Sequence, residues 1–163
     1  MSVEENNAVV RRFFEEVLDR KRPELVEEFL ADGVADHNKV VFAGPDAPGG
    51  MAEGVRMLLV AFPDLRATVK RQVAEGDYVS THLAMAGTNT GPYPRVPEPT
   101  GRHTEWESMV LFRMEGGRIA ELWGTSDRMG MLTQLGILPD IGQRRTPLHG
   151  GPPSPLFTSC PPR

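Results

Sequence analysis

The stretch "HTEWESMVLFRMEGGRIAELWGTSDRMG", His103 to Gly130, decides how this chain folds. Its first ten residues alternate, with Glu105 and Glu107 on one side and Trp106, Ser108, Val110 and Phe112 on the other. A period of two is that of a strand with one buried face. "EGGR" then predicts a tight turn and "RIAELWG" a second strand, paired with the first as an antiparallel hairpin. Past Gly124, "TSD" bends the chain and "RMGMLTQL" can begin a helix, with Asp127 at the junction. Aspartate is a preferred helix cap, and it is also a base when it is aimed into a pocket. One residue at a rim can do both.

Upstream, "LRATVKRQVAEG" and "DYVSTHLAMAGTNTG" read as two further strands joined at "EGD", so the second half of the chain is a four-strand meander. Helices precede it. Ser2 and Glu5 have the spacing of a capping box, and Val10, Phe13, Phe14, Val17 and Leu18 form one apolar stripe, which predicts a helix over about residues 3–20. "RPELVEEFLAD" predicts a second helix that starts at Pro23 and stops at Gly33, followed by the loop "VADHNKVVFAGPDAPGG". A third helix, about residues 50–62, buries Met51, Val55, Leu58, Leu59 and Phe62 before Pro63 ends it. Helices first and strands after argue for an α+β fold, with helices on one face of a curved sheet. That domain is expected to occupy residues 1–142. The last twenty-one residues, 143–163, hold six prolines and no apolar period, so a flexible tail is expected there.

At 163 residues the chain is long enough to bury a core, and 39% hydrophobic with 25% charged residues is a globular composition. A net charge of −4 offers no electrostatic footprint for nucleic acid or an anionic membrane. The longest apolar run, "MLLVAF" at 57–62, is too short to span a bilayer. Glu4, Glu5, Arg11 and Arg12 are not the start of a signal peptide, and the single Cys160 excludes an internal disulfide, so a cytoplasmic location is expected.

Residues from about 5 to 139 resemble the SnoaL-like polyketide cyclase family, within the nuclear-transport-factor-2-like superfamily. The words that carry the likeness are "VRRFFEEVLDR", "DH" at 36–37, "AFPDLRATV", "AEGDYV", "GTNTG", "PTGR", "LFRMEGGRIAELW" and "SDRMGMLTQLG", in that order. The resemblance implies a cone-shaped, curved antiparallel sheet with three N-terminal helices packed on its concave face and a short C-terminal helix. It also implies an enzyme that closes rings by intramolecular aldol condensation in an apolar cavity, with an acid/base aspartate near the C-terminal end of the sheet, no metal and no covalent intermediate. Asp127 is the position that fits that aspartate. Isomerases, dehydratases, epoxide hydrolases and plain binders share the fold. Relatives also often pair through the outer sheet face, which makes a homodimer the expected assembly.

The remaining candidates are weighed one by one. The resemblance places His37 at a cavity mouth, where its imidazole could bond a substrate oxygen or hold Asp127; otherwise it is a solvated loop residue. His82 shares a strand face with Ser80, Ala84 and Ala86, which suits either a hollow left for a ligand or a solvent face. Glu105, beside Glu107, suits a solvated face or a paired-carboxylate site. Trp106, Trp123 and Phe62 suit core or the walls against which a flat substrate stacks. Tyr93, in the proline-rich loop "GPYPRVPEPTGR", could offer a hydroxyl at the rim. No histidine pair has metal spacing, and there is no nucleophile elbow, P-loop or dinucleotide glycine motif. Chemistry would then rest on Asp127, His37 and His82 as acid/base groups, with no cofactor and a hydrophobic small molecule as substrate. Many relatives read tryptophan–aspartate where this chain has Trp123–Gly124, and many carry arginine near His82. The aspartate pair with a bridging arginine that an epoxide hydrolase needs is not evident.

Overall fold

The structure is a computed structural model that describes residues 2–38, 42, 50–96 and 98–139. The expected tail, 143–163, lies outside the described residues, as do His149 and Cys160. Helix α1 (Val3–Arg12) opens on the capping box: Ser2 Oγ accepts from the Glu5 amide and the Glu5 carboxylate accepts from the Ser2 amide. It runs directly into a π-helical segment, Phe13–Asp19. Helix α2 spans Gly50–Ala61, and α3 spans Arg128–Gln134.

Five strands form one sheet: β1 (Leu30–Asp36), β2 (Arg66–Glu75), β3 (Tyr78–Thr88), β4 (His103–Glu115) and β5 (Arg118–Ser126). Their spatial order is β1-β5-β4-β3-β2. From β2 to β5 the pairing is an antiparallel meander. Gly116 and Gly117 join β4 to β5 with φ of 57° and 80°, the positive angles that a two-residue hairpin of matching twist demands.

Two expectations need correction. The second helix is only a 3₁₀ turn, Pro23–Glu28, and β1 takes over where the helix was expected to continue to Gly33. The sheet is therefore not wholly antiparallel, because β1 lies parallel to β5. The free edge of β5 supplies the reason: its backbone groups need partners, and the segment after Phe29 provides them. Ile119 donates to the Phe29 carbonyl and His37 to the Leu122 carbonyl, at the two ends of that pairing.

One face of the sheet is buried under the helices. Val79, Thr81, Leu83 and Met85 of β3 face inward with Thr104, Trp106, Ser108, Val110, Phe112 and Met114 of β4. Phe13 is the hub of this core, with its ring edge-on to Phe14, Phe29, Phe42 and Phe112 at centroid distances of 5.2–6.3 Å. Such pairs add to the large area each ring removes from water. Among the described residues no helix is long and apolar enough to cross a membrane. Phe13→Ala is expected to lower unfolding stability by about 3–5 kcal/mol, read from urea denaturation. A loss under about 1 kcal/mol would show that the hub does not hold the helices to the sheet.

Candidate active site

Alternation sorts the side chains of the sheet by chemistry. Among the described residues the buried polar side chains are Asn6, Thr81, Asn89, Thr104 and Ser108, and no carboxylate or imidazole is buried. Among the described residues the carboxylates and imidazoles that could move a proton are therefore all at least partly exposed.

Asp127 follows β5 and begins α3. Its amide donates to the Glu107 carbonyl, which continues the β5–β4 ladder by one residue, and its carboxylate accepts from the Gly130 amide at 2.8 Å. It is thus the N-cap of α3. The apolar, water-free setting expected for Asp127 is not what the structure has, because the residue is exposed. The ladder explains this: Ser126 pairs with Ser108 on the inward side, so the next residue turns outward.

Asp127 lines a cleft of about 630 Å³ at the end of the sheet where β5 gives way to α3. Ala84 and Ala86 floor it, Glu105 and Glu107 stand with Asp127 on one wall, and Arg66, Thr68 and Lys70 form the other. Met85 and Trp106 complete the lining. Lys70 continues the face of Arg66 and Thr68 by alternation, and a bulge between Val69 and Arg71, where β2 carries one residue more than β3, follows it. His82 sits beside the cleft, with Nε2 3.2 Å from Glu107 Oε2. Its face is the outward one, shared with Ser80, Ala84 and Ala86. The cleft thus gathers Asp127, Glu105 and Trp106, with His82 attached through Glu107.

His37 is not near that carboxylate. Its Nε2 lies 2.7 Å from Glu121 Oε2, and its ring stacks on Trp123 at 4.4 Å with 1° between planes. Arg113 donates to the other Glu121 oxygen and pairs with Glu115. The bond from His37, then that from Arg113, lowers the Glu121 pKa below the usual carboxylate range. Asn38 pins the neighbouring strand by bonding both the amide and the carbonyl of Gly124.

Phe62, Tyr93 and Trp106 form a third group, inside. Phe62 touches Tyr93 and Trp106 at 5.7 and 5.3 Å, and Arg128 lies over the Tyr93 ring at 5.2 Å. Tyr93 is buried rather than a free rim hydroxyl: its OH donates to the Phe42 carbonyl, and burial raises its pKa. Among the described residues no group of three His, Cys, Asp or Glu side chains gathers as a metal would need.

The sequence profile of the SnoaL-like polyketide cyclase family matches residues 8–135. The chain belongs to this family. This SnoaL-like chain is 30% identical over 133 residues to the aklanonic acid methyl ester cyclase DnrD of Streptomyces peucetius, covering 78% of this chain and 88% of that one. IdmH of Streptomyces antibioticus is 30% identical, with a TM-score of 0.64 over 80% of this chain and 98% of that one. AclR of Streptomyces galilaeus, at 24% identity, TM-score 0.71 and 86% of each chain, shares the fold. The architecture is that of the nuclear-transport-factor-2-like α+β cone.

Glu121, Arg66 and Lys70 were not among the sequence candidates. Glu121 had a signal, since it lies two residues before Trp123 and so shares its strand face. Lys70 had one too, since it follows Arg66 and Thr68 at a spacing of two on the same strand face. A carboxylate whose pKa is lowered in the folded state stabilises that state above its unfolded pKa, and this contribution is lost as pH falls through the folded pKa. Wild type is therefore expected to exceed Glu121→Gln in urea midpoint at pH 6, with the gap closing below about pH 4.5. A gap that stayed constant down to pH 3 would contradict the role given to the His37 and Arg113 bonds.

Proposed function

We propose that the chain is a cofactor-independent cyclase that closes a ring within a hydrophobic polycarbonyl substrate, or a closely related enolising enzyme, with Asp127 as the base. The observation that carries this reading is the cleft itself, where a carboxylate already oriented by a helix amide faces two cations across a floor of alanine. Neither Arg66 nor Lys70 has an ion-pair partner among the described residues. The DnrD relative is a cyclase by name, which fits a carbon–carbon ring closure here.

In this reading Asp127 takes a proton from a carbon flanked by carbonyls. Arg66 and Lys70 stabilise the enolate oxygen that forms. The enolate carbon attacks a second carbonyl carbon, the new bond pushes the carbonyl electrons onto oxygen, and that alkoxide takes the proton back from Asp127. Nothing is oxidised or reduced. His82, held by Glu107, stands where it can pass a proton between Asp127 and solvent. Holding a floppy chain in the reacting geometry lowers the barrier further, by up to roughly 7–11 kcal/mol in the best cases.

A second reading is favoured by Val73, Tyr78, Met109 and Leu111, which are exposed on the outward sheet face. There the face pairs with a second copy, and the chain holds a hydrophobic ligand without converting it. Asp127→Asn separates the two, because asparagine keeps the cap and removes the base. Under the enzyme reading, turnover of a β-dicarbonyl substrate falls by about 10²–10⁴ with an unchanged melting temperature. Full turnover in that variant would remove Asp127 from the chemistry, and saturable binding without conversion by a sedimenting dimer would favour the second reading.

A further inference from the structure

The cleft at the β5–α3 end of the sheet holds more positive charge than one enolate oxygen requires. Arg66, Thr68 and Lys70 stand at every second residue of β2, line the same cleft, and are all exposed. Arg66 and Lys70 are four residues apart, about 13 Å along an extended strand, so a single oxygen need not engage both. Neither has an ion-pair partner among the described residues. The neighbouring strand is bare at this level. Ala86 lies between Arg66 and Glu105 in the ladder, and Ala84 lies between Thr68 and Glu107. Two methyl groups flanked by longer side chains make a slot with a low apolar floor and polar walls, a shape that suits a flat ring.

The carboxylates of the opposite wall do not cancel these cations. Strand β4 is second in order from β2 and β5 is third, which puts the acids' backbone about 10–14 Å from that of β2. Exposed charges so far apart are largely screened, because the Debye length at physiological salt is about 8 Å. Two of the acids are also engaged nearby: Glu107 faces His82 at 3.2 Å, and Asp127 accepts from the Gly130 amide at 2.8 Å.

We propose that the cleft binds a flat aromatic acid, its carboxylate held at the Arg66–Lys70 wall and its rings resting on Ala84 and Ala86, with Asp127 at the far edge. The guanidinium fork of Arg66 matches the two oxygens of a carboxylate, and the Thr68 hydroxyl beside it is a further donor. The site deepens the cyclase reading and rests on it for its purpose. The substrate keeps a free acid group rather than an ester or amide, and one cation anchors that group while the other serves the enolate oxygen.

The test compares two probes of nearly the same outline, 2-naphthoate and 2-naphthamide, by nuclear magnetic resonance titration of the backbone amides of the full chain at pH 7. In about 20 mM salt, wild type is expected to bind the carboxylate about tenfold more tightly than the amide, with the Ala84 and Ala86 signals moving. In about 0.5 M salt that preference is expected to shrink. The double variant Arg66→Gln, Lys70→Gln is expected to lose it while keeping its affinity for the amide, which also shows that the slot is still folded. Arg66→Lys, which keeps the charge, is expected to retain most of it. Asp127→Asn is expected to keep or raise the preference, so a failed base assignment leaves this readout untouched. Equal affinity for the two probes in wild type, a preference that survives in the double variant, or carboxylate binding that leaves Ala84 and Ala86 unmoved would each overturn the proposal.

Discussion

Phe13 and Phe14, packed against Phe112, set the terms for every other residue in this fold. Their rings lie 6.3 and 5.8 Å from Phe112, and all three are removed from water. Once the first helix is clamped onto that point, the inward positions of β3, β4 and β5 must be apolar or small, because nothing else can be buried there without a partner. Charge is consequently driven outward or to the ends of the sheet. That is why the chain can hold Asp127, Glu105, Glu107, Arg66 and Lys70 around one cleft and still keep ionised groups out of the core among the described residues.

The outward ion pairs contribute little to stability. Exposed pairs such as Arg56 with Glu27 and Arg12 with Glu16 are screened by water and cost side-chain freedom. Their arrangement still matters for geometry. The Glu121 carboxylate, shared by His37 and Arg113, fixes an imidazole flat on Trp123, and the Asn38 clamp on Gly124 holds β1 in place. Held between β1 and β4, β5 keeps Ser126 and Asp127 in register with Ser108 and Glu107, so that one faces in and the next faces out.

Much of this was legible in local pattern. "HTEWESMVLF" shows the alternation that divides Trp106 and Ser108 from Glu105 and Glu107, and the structure divides them the same way. The Ser2–Glu5 box and the cap at Asp127 are local hydrogen bonds between residues three apart, and local bonds leave local signatures. What could not be read is what depends on distant partners. Strand β1 exists because β5 offers an edge, while its own residues up to Gly33 carry a helical stripe. His37 and Glu121 are 84 residues apart, and neither names the other in the sequence. The surroundings of Asp127 belong to the same class: its capping is written in "TSDRMG", whereas its exposure follows from the ladder position of Ser126.

The central claim is that a ligand occupies the cleft at the β5–α3 end of the sheet, with Asp127 on its wall. The chain holds two tryptophans, and they report on different places: Trp106 lines that cleft, whereas Trp123 lies away from it under His37. Their two indole N–H resonances, followed by nuclear magnetic resonance during titration with a flat aromatic ketone, test the claim most directly. The account predicts that the Trp106 signal shifts together with the amides of Ser126 and Asp127, while Trp123 stays still. Movement of the Trp123 signal alone, with Trp106 unchanged, would contradict it.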